Sequence, residues 1–133
     1  MLVHPGGPFW ARRESGAWSI PKGEYEPDED PLQAARREFQ EELSRTPPDG
    51  EPVELGEVRQ KGGKVVCAWA LEGDLDPSEI ESNTFTVQWP PRSGRMRTFP
   101  EVDRAEWFAL DDAREKINPA QAVLLDRLAE RLG

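Results

Sequence analysis

Three glutamates, Glu38, Glu41 and Glu42, stand at spacing i, i+3 and i+4. On a helix, at about 100° per residue, they share about 100° of arc. Like charges so placed cost an isolated helix roughly 0.2–0.5 kcal/mol per pair, and a helix selected only for stability would interleave Lys. A hard divalent cation turns that repulsion into coordination, and an all-carboxylate set suits Mg2+ or Mn2+. Taken alone, Glu-x-x-Glu-Glu is more often a solvated acidic face, so the surrounding spacing must decide.

The element that carries them has clear boundaries. Asp30 is an N-cap, Pro31 suits the first helical position and Gln33 completes a capping-box-like opening. The helix is expected to run to about Leu43–Ser44 and to end before Pro47-Pro48-Asp49-Gly50. Leu32, Ala35, Phe39 and Leu43 form an apolar stripe that can dock it on a sheet.

Around it, Pro and Gly punctuate short elements. Met1–His4 reads as the end of a strand and Ala17–Ile20 as a short apolar segment. Val53–Gln60 and Val65–Leu71 read as strands joined at Gly62-Gly63. Pro77–Ser82 suits a helical turn, and Phe85, Val87 and Trp89 alternate as in a half-buried strand. Pro90–Arg97 reads as a loop, Ala105–Leu110 as a strand and Asp111–Ile117 as a short helix. In the last helix Asn118 caps, Pro119 opens and Gln121 completes the capping box, with Ala120, Leu124 and Leu128, and Val123 beside them, facing the core. Strands and hairpins followed by separate helices indicate an α+β fold, or a mixed α/β/α sandwich.

Composition sets the outer limits. The chain has 133 residues, 17 Lys+Arg against 26 Asp+Glu, and a net charge of −9. Between Glu24 and Glu42 eight acids face only Arg36 and Arg37, so that stretch carries −6 and the rest only −3. A general nucleic-acid coat or a membrane-surface binder needs basic faces and is disfavoured. Length suits one domain over residues 1–133, and five Trp with five Phe supply a core that disordered chains lack. The single cysteine, Cys67, excludes an intrachain disulfide and a multi-Cys zinc site, and its apolar setting predicts a buried inert thiol. With no apolar run of membrane-spanning length and no signal-peptide pattern, a soluble cytoplasmic protein is expected.

From Gly23 the spacing reads Gly-x5-Glu-x7-Arg-Glu-U-x-Glu-Glu, where U is apolar: Gly23, Glu29, then Arg37-Glu38-Phe39-Gln40-Glu41-Glu42. This resembles the Nudix hydrolase box at all seven fixed positions. One later position departs, because Ser44 stands where the family has the glycine that ends the helix.

The resemblance implies a loop–helix–loop metal site in an α/β/α sandwich, with a mixed sheet, the box helix and a C-terminal helix. It implies Glu38, Glu41 and Glu42 as ligands of Mg2+ or Mn2+ on a diphosphate, with a backbone carbonyl at Lys22 or Gly23. Arg37 would orient the ligands, Glu29 would pair with Arg37 to hold the loop, and Glu41, Glu42 or Glu101 would accept a proton from water. Trp18-Ser19-Ile20-Pro21-Lys22-Gly23 resembles the lead-in of members acting on dinucleoside polyphosphates or diphosphoinositol polyphosphates. There Lys22 would meet phosphate, and Trp18 is expected in the core. Asn118-Pro119-Ala120-Gln121 is faintly similar to MutT-type members that hydrolyse nucleoside triphosphates, although capping explains Gln121 better.

Arg59, Lys61 and Lys64 bracket one turn, and Arg92, Arg95 and Arg97 lie in a stretch without acids. Lys64 and Arg95 are the preferred phosphate partners among them. His4, the only histidine, reads as a turn residue. Relative to the family the N-terminal strand is short: either the start is assigned late, or the sheet lacks a strand and its edge needs protection, for which pairing in a homodimer is one solution. The expected activity is a Mg-dependent pyrophosphohydrolase acting on a small nucleotide, with nucleoside triphosphates or dinucleoside polyphosphates favoured. The alternative is a catalytically silent nucleotide-binding or regulatory module.

Overall fold

The computed structural model describes residues 1–22, 28–60 and 62–132. Strand β1 (Leu2–Pro5) is followed by helix α1 (Pro31–Leu43), the hairpin β2 (Val53–Arg59) and β3 (Val65–Ala70), and a 3-10 turn at Pro77–Glu79. Then come β4 (Thr84–Gln88), β5 (Met96–Pro100), β6 (Val102–Glu106), α2 (Leu110–Lys116), a second 3-10 turn at Pro119–Gln121 and α3 (Ala122–Leu132). The architecture is α+β. Among the described residues the strands form three antiparallel pairs, β1–β6, β2–β3 and β4–β5, and a parallel bridge joins Trp18 to Ile117.

The pleat of β1 assigns its neighbours to two layers, because successive side chains point to opposite faces. Leu2 packs with Trp18, Ala113, Ile117 and Leu125, the side of α2 and α3. Val3 packs with Leu43 of α1 and with Val102 and Ala105 of β6. A further strand-to-helix contact sets Leu55, Val58, Val66 and Ala68 of the β2–β3 hairpin against Leu124. The β1 edge is engaged inside the chain: Val3 N donates to Ser19 O at 2.8 Å and Ser19 N to Val3 O at 2.9 Å. A second chain is therefore not needed to occupy that edge at Val3.

Helix α1 begins as its residue types dictate. The Asp30 carboxylate accepts from Gln33 N at 3.1 Å, with Pro31 in the first turn. Its end answers the Ser44 departure. Ser44 is left-handed (φ 55°), its N–H bonds Gln40 O at 2.8 Å, and its hydroxyl donates to Glu81 O at 2.7 Å. Glu81 N returns a bond to Leu43 O at 3.0 Å. A non-glycine residue pays about 1–2 kcal/mol for this backbone region, and the extra hydroxyl bond offsets part of it.

Several expectations need correction. The buried face of α1 is Ala34 and Leu43, with Phe39 half-buried, while Ala35 is exposed. Met96 and Arg97 belong to β5, not to a loop; the ribbon is polar and mostly exposed, so no apolar alternation announces it. Strand β6 is Val102–Glu106, because pairing with β1 rather than the apolar run decides its limits. Trp107, 51% exposed, leaves the strand and donates Nε1–H to Leu75 O at 2.8 Å. Val123 is exposed, and Leu125 joins Leu124 in the core instead. Cys67 is half-buried, on the face of β3 opposite Val66 and Ala68, with Sγ 3.7 Å from Glu57 Oε1. Among the described residues no helix is long and apolar enough to cross a membrane.

Candidate metal and diphosphate site on helix α1

Arg37 is the hub of the acidic face. Its Nε and Nη2 fork onto Glu29 Oε2 and Oε1, both at 2.9 Å. Its Nη1 reaches Glu38 Oε1 and Glu41 Oε2, each at 3.1 Å. A planar guanidinium can serve three carboxylates at once because its donors diverge at fixed angles. The bond to Glu29 above all, then Glu41 and the surrounding negative charge, holds Arg37 more firmly protonated than an ordinary arginine.

Glu42 has a different setting. Burial pushes its carboxyl up to about 7, while the backbone N–H and the charge of Lys22 pull the other way, and the charges of Glu101 and Glu38 push further up. Glu101 is brought there by the junction of β5 and β6. Its N–H donates to Asn83 O at 2.8 Å and its carbonyl accepts from Gly6 N at 2.9 Å. The fold therefore gathers Glu42, Lys22, Glu101 and Glu38 into one electrostatic neighbourhood, and Arg37, Glu29, Glu38 and Glu41 into another. Glu38, with 19% of its side chain exposed against 52% for Glu41, belongs to both.

Other expected site residues lie elsewhere or beyond view. Lys64 sits in the β2–β3 turn and Arg95 in the β4–β5 turn, on separate hairpins and both exposed. Gly23 and Lys61 lie outside the described residues.

The donor set fits a hard divalent cation in its chemistry. All its donors are carboxylate oxygens, and Glu42 is a half-buried carboxylate whose charge is disfavoured by burial and by two neighbouring acids, a penalty that a cation offsets. In this arrangement, among the described residues, no three acids stand close enough to hold one ion. Glu38 and Glu41 are turned onto Arg37 instead.

Two residues carry more of the surrounding structure than their sequence reading allows. His4 is not a turn residue: it lies wholly buried in β1, with Nδ1 2.7 Å from Asp103 Oδ1, Nε2 2.6 Å from Arg13 O, and its ring edge-on to Trp18. Gln121 is not a capping-box residue. Wholly buried, it accepts from Ile20 N at 3.0 Å and donates to Ser19 Oγ at 3.1 Å and Gln60 Oε1 at 3.2 Å. It ties the segment leading to Lys22 to the β2–β3 turn. The available signal was a polar side chain on an apolar surface, Gln121 next to the Leu124 stripe and His4 beside Leu2 and Val3. Trp18, 1% exposed, is core as expected.

A family model for the NUDIX domain matches residues 4–128. The chain is 33% identical over 102 residues to an octanoyltransferase of Myxococcus xanthus, covering 77% of this chain and 25% of that protein. It thus spans about a quarter of the length of that curated relative. Among solved structures, an Ap4A hydrolase of C. elegans in a binary complex superposes with a TM-score of 0.62 at 22% identity, covering 98% of this chain and 84% of that one. That likeness is one of fold. With the box acids on α1 and the family match running from β1 to α3, the chain belongs to the NUDIX domain family.

Proposed function

We propose that this chain, as a single domain over residues 1–133, is a cytoplasmic pyrophosphohydrolase that uses Mg2+ or Mn2+ to split a diphosphate bond in a small nucleotide. The observation that carries the reading is Glu42: a half-buried carboxyl raised to about 7, on the box helix, against the Lys22 backbone and beside Glu101. A bound cation offsets that burial penalty, which suits Glu42 to a ligand role.

Glu38, Glu41 and Glu42 would hold the cation. When bound, it supplies neutralisation of the diphosphate oxygens and makes phosphorus a better electrophile. Arg37, through its fork on Glu29, orients Glu38 and Glu41 and limits their rotation. Lys22 meets a phosphate oxygen. Water then attacks phosphorus, its proton passing to Glu42, Glu41 or Glu101, while the bond from phosphorus to the bridging oxygen breaks and the leaving phosphate keeps that electron pair. Nucleoside triphosphates and dinucleoside polyphosphates are the favoured substrates. Support comes from the segment Trp18–Gly23 and from the fold shared with a protein named as an Ap4A hydrolase.

A second reading is a nucleotide-binding module without turnover. It is favoured by the engagement of Glu38 and Glu41 with Arg37, which directs two of the three box carboxylates away from a shared point.

A phosphate-release screen separates the two. It takes Mg2+ or Mn2+ with nucleoside triphosphates, diadenosine polyphosphates, ADP-ribose and diphosphoinositol phosphates, and compares wild type with Glu41→Gln and Glu42→Gln. Turnover that depends on metal and is lost in the variants supports the hydrolase. Equal rates for wild type and both variants would sink it.

A further inference from the structure

Two segments remote in sequence, the loop after β1 and the β4–β5 ribbon, meet along the face of the ribbon that carries Phe85 and Trp89. The loop after β1 lies across it: Gly7 packs so tightly on Phe85 that an added Cβ would come within 2.7 Å of the ring. Next to it the Phe9 ring stands edge-on to Trp89, centroids 5.3 Å apart. Phe9 is nevertheless 58% exposed and its neighbour Trp10 39% exposed, so two large aromatic surfaces remain open to water. The Arg13 guanidinium lies over the Trp10 ring at 5.5 Å, and Arg97 over Phe99 at 5.7 Å. Ladder register puts Arg97 opposite Val87, and the Trp89 N–H bond to Arg95 O extends that pairing by one step.

The charge here opposes that of the whole chain. Residues 5–13 contain Arg12 and Arg13 and no acid, and residues 82–100 contain Arg92, Arg95 and Arg97 and no acid. In a chain of net charge −9, these two touching segments carry five cations and no acid of their own. An aromatic surface bordered by arginines suits the neutral π-face of a base, with guanidinium groups at hand for the phosphate next to it. The loop is also firmly held: His4 bonds Arg13 O at 2.6 Å, and Arg104 grips Glu14 at 2.8 Å. It begins at the box site, since Gly6 N bonds Glu101 O at 2.9 Å. Phe9 follows Gly6 by three residues, at most about 11 Å of extended chain.

We propose that Phe9 and Trp10, backed by Trp89 and flanked by Arg13, Arg95 and Arg97, form the surface on which the base of a nucleoside polyphosphate stacks while its phosphates run toward Glu101 and helix α1. The proposal rests on the nucleotide reading of the α1 site and names the part of the protein that meets the base. Stacking tolerates any base, so purine and pyrimidine nucleotides bind within a small factor of one another.

The test is calorimetric titration of the full chain with methylene-bridged adenosine and cytidine triphosphate analogues, and separately with inorganic triphosphate. Trp10→Ala and Phe9→Ala are expected to weaken both nucleotide analogues roughly tenfold each and to leave inorganic triphosphate unchanged. Trp10→Phe keeps a π-face and should recover most of the loss. Arg95→Gln is expected to weaken nucleotide and inorganic triphosphate alike. Both rings are exposed, so the alanine variants should melt with wild type, which separates lost stacking from lost fold. Unchanged nucleotide affinity in both alanine variants overturns the proposal. So does a single-stranded oligonucleotide that binds far more tightly than the mononucleotide, or a wild-type dimer that Trp10→Ala dissociates with nucleotide affinity intact. Absence of turnover in the phosphate-release screen defeats the hydrolase reading while leaving base-dependent binding measurable. Turnover with Trp10-independent binding defeats only the stacking surface.

Discussion

Glu29 and Arg37, eight residues apart, lock together through two bonds of 2.9 Å, Nε to Oε2 and Nη2 to Oε1. This fork leaves Nη1 for Glu38 and Glu41, so the entry to α1 and the acidic face of α1 are tied through one side chain. Arg37→Lys preserves the charge and loses the fork. Outer partners of metal ligands commonly matter by about 10–100-fold, and a loss of that size in Mn2+ affinity, read by titration, is expected here. An unchanged affinity would show that Arg37 serves the helix alone.

The raised carboxyl of Glu42 fixes a pH dependence for the metal-free protein. Its ordinary value is 4.5 and its folded value about 7, so between those limits the folded chain binds more protons than the unfolded one. Stability from this group is therefore greatest below the ordinary carboxylate range and falls as pH rises to about 7. Glu42→Gln removes the dependence. With chelator present, the variant should melt above wild type at pH 8 and close to it at pH 4.

Adding Mn2+ at pH 8 should reverse that order. A cation that binds only the folded chain raises its melting temperature by mass action. Wild type is expected to gain more than Glu42→Gln, and differential scanning fluorimetry across a metal series reads the difference. Equal gains would remove Glu42 from the ligand set.

Ser44 poses a trade between backbone and hydroxyl. Ser44→Ala keeps the left-handed strain at φ 55° and loses the bond to Glu81 O, so a loss of about 1 kcal/mol is expected. Ser44→Gly loses the same bond and relieves about 1–2 kcal/mol of strain, leaving it at or slightly above wild type. Urea midpoints for the two variants check the ordering.

His4→Ala should be the most damaging change considered outside the box. It opens a cavity under Trp18 and leaves Asp103 and the Arg13 carbonyl without their ring partner. The cost is on the order of 3 kcal/mol, measurable by denaturant unfolding. The loop that carries Phe9 and Trp10 should also become more open to proteolysis.

What could be read from residues alone was local. Asp30 and Pro31 announce the start of α1, Gly62-Gly63 the β2–β3 turn, and the i, i+3, i+4 spacing puts three acids on one helical face, because each depends on backbone geometry within a few residues. The pairing of Glu29 with Arg37 was also within reach, eight residues apart. The strand limits of β5 and β6 were not, since hydrogen-bonded partners elsewhere in the chain decide them.

The box spacing by itself announced the family and singled out Glu38, Glu41 and Glu42 as candidate site acids. Only the tertiary structure decided which of them is which. Glu41 and Glu42 are adjacent and identical in type, yet one is held at the surface by Arg37 and the other is half-buried beside Lys22 and Glu101. The same holds for His4, joined to Asp103 across 99 residues, and for Gln121, joined to Ser19 across 102. Burial and local field are set by whatever the fold brings within a few ångströms, and sequence spacing carries no direct record of that distance.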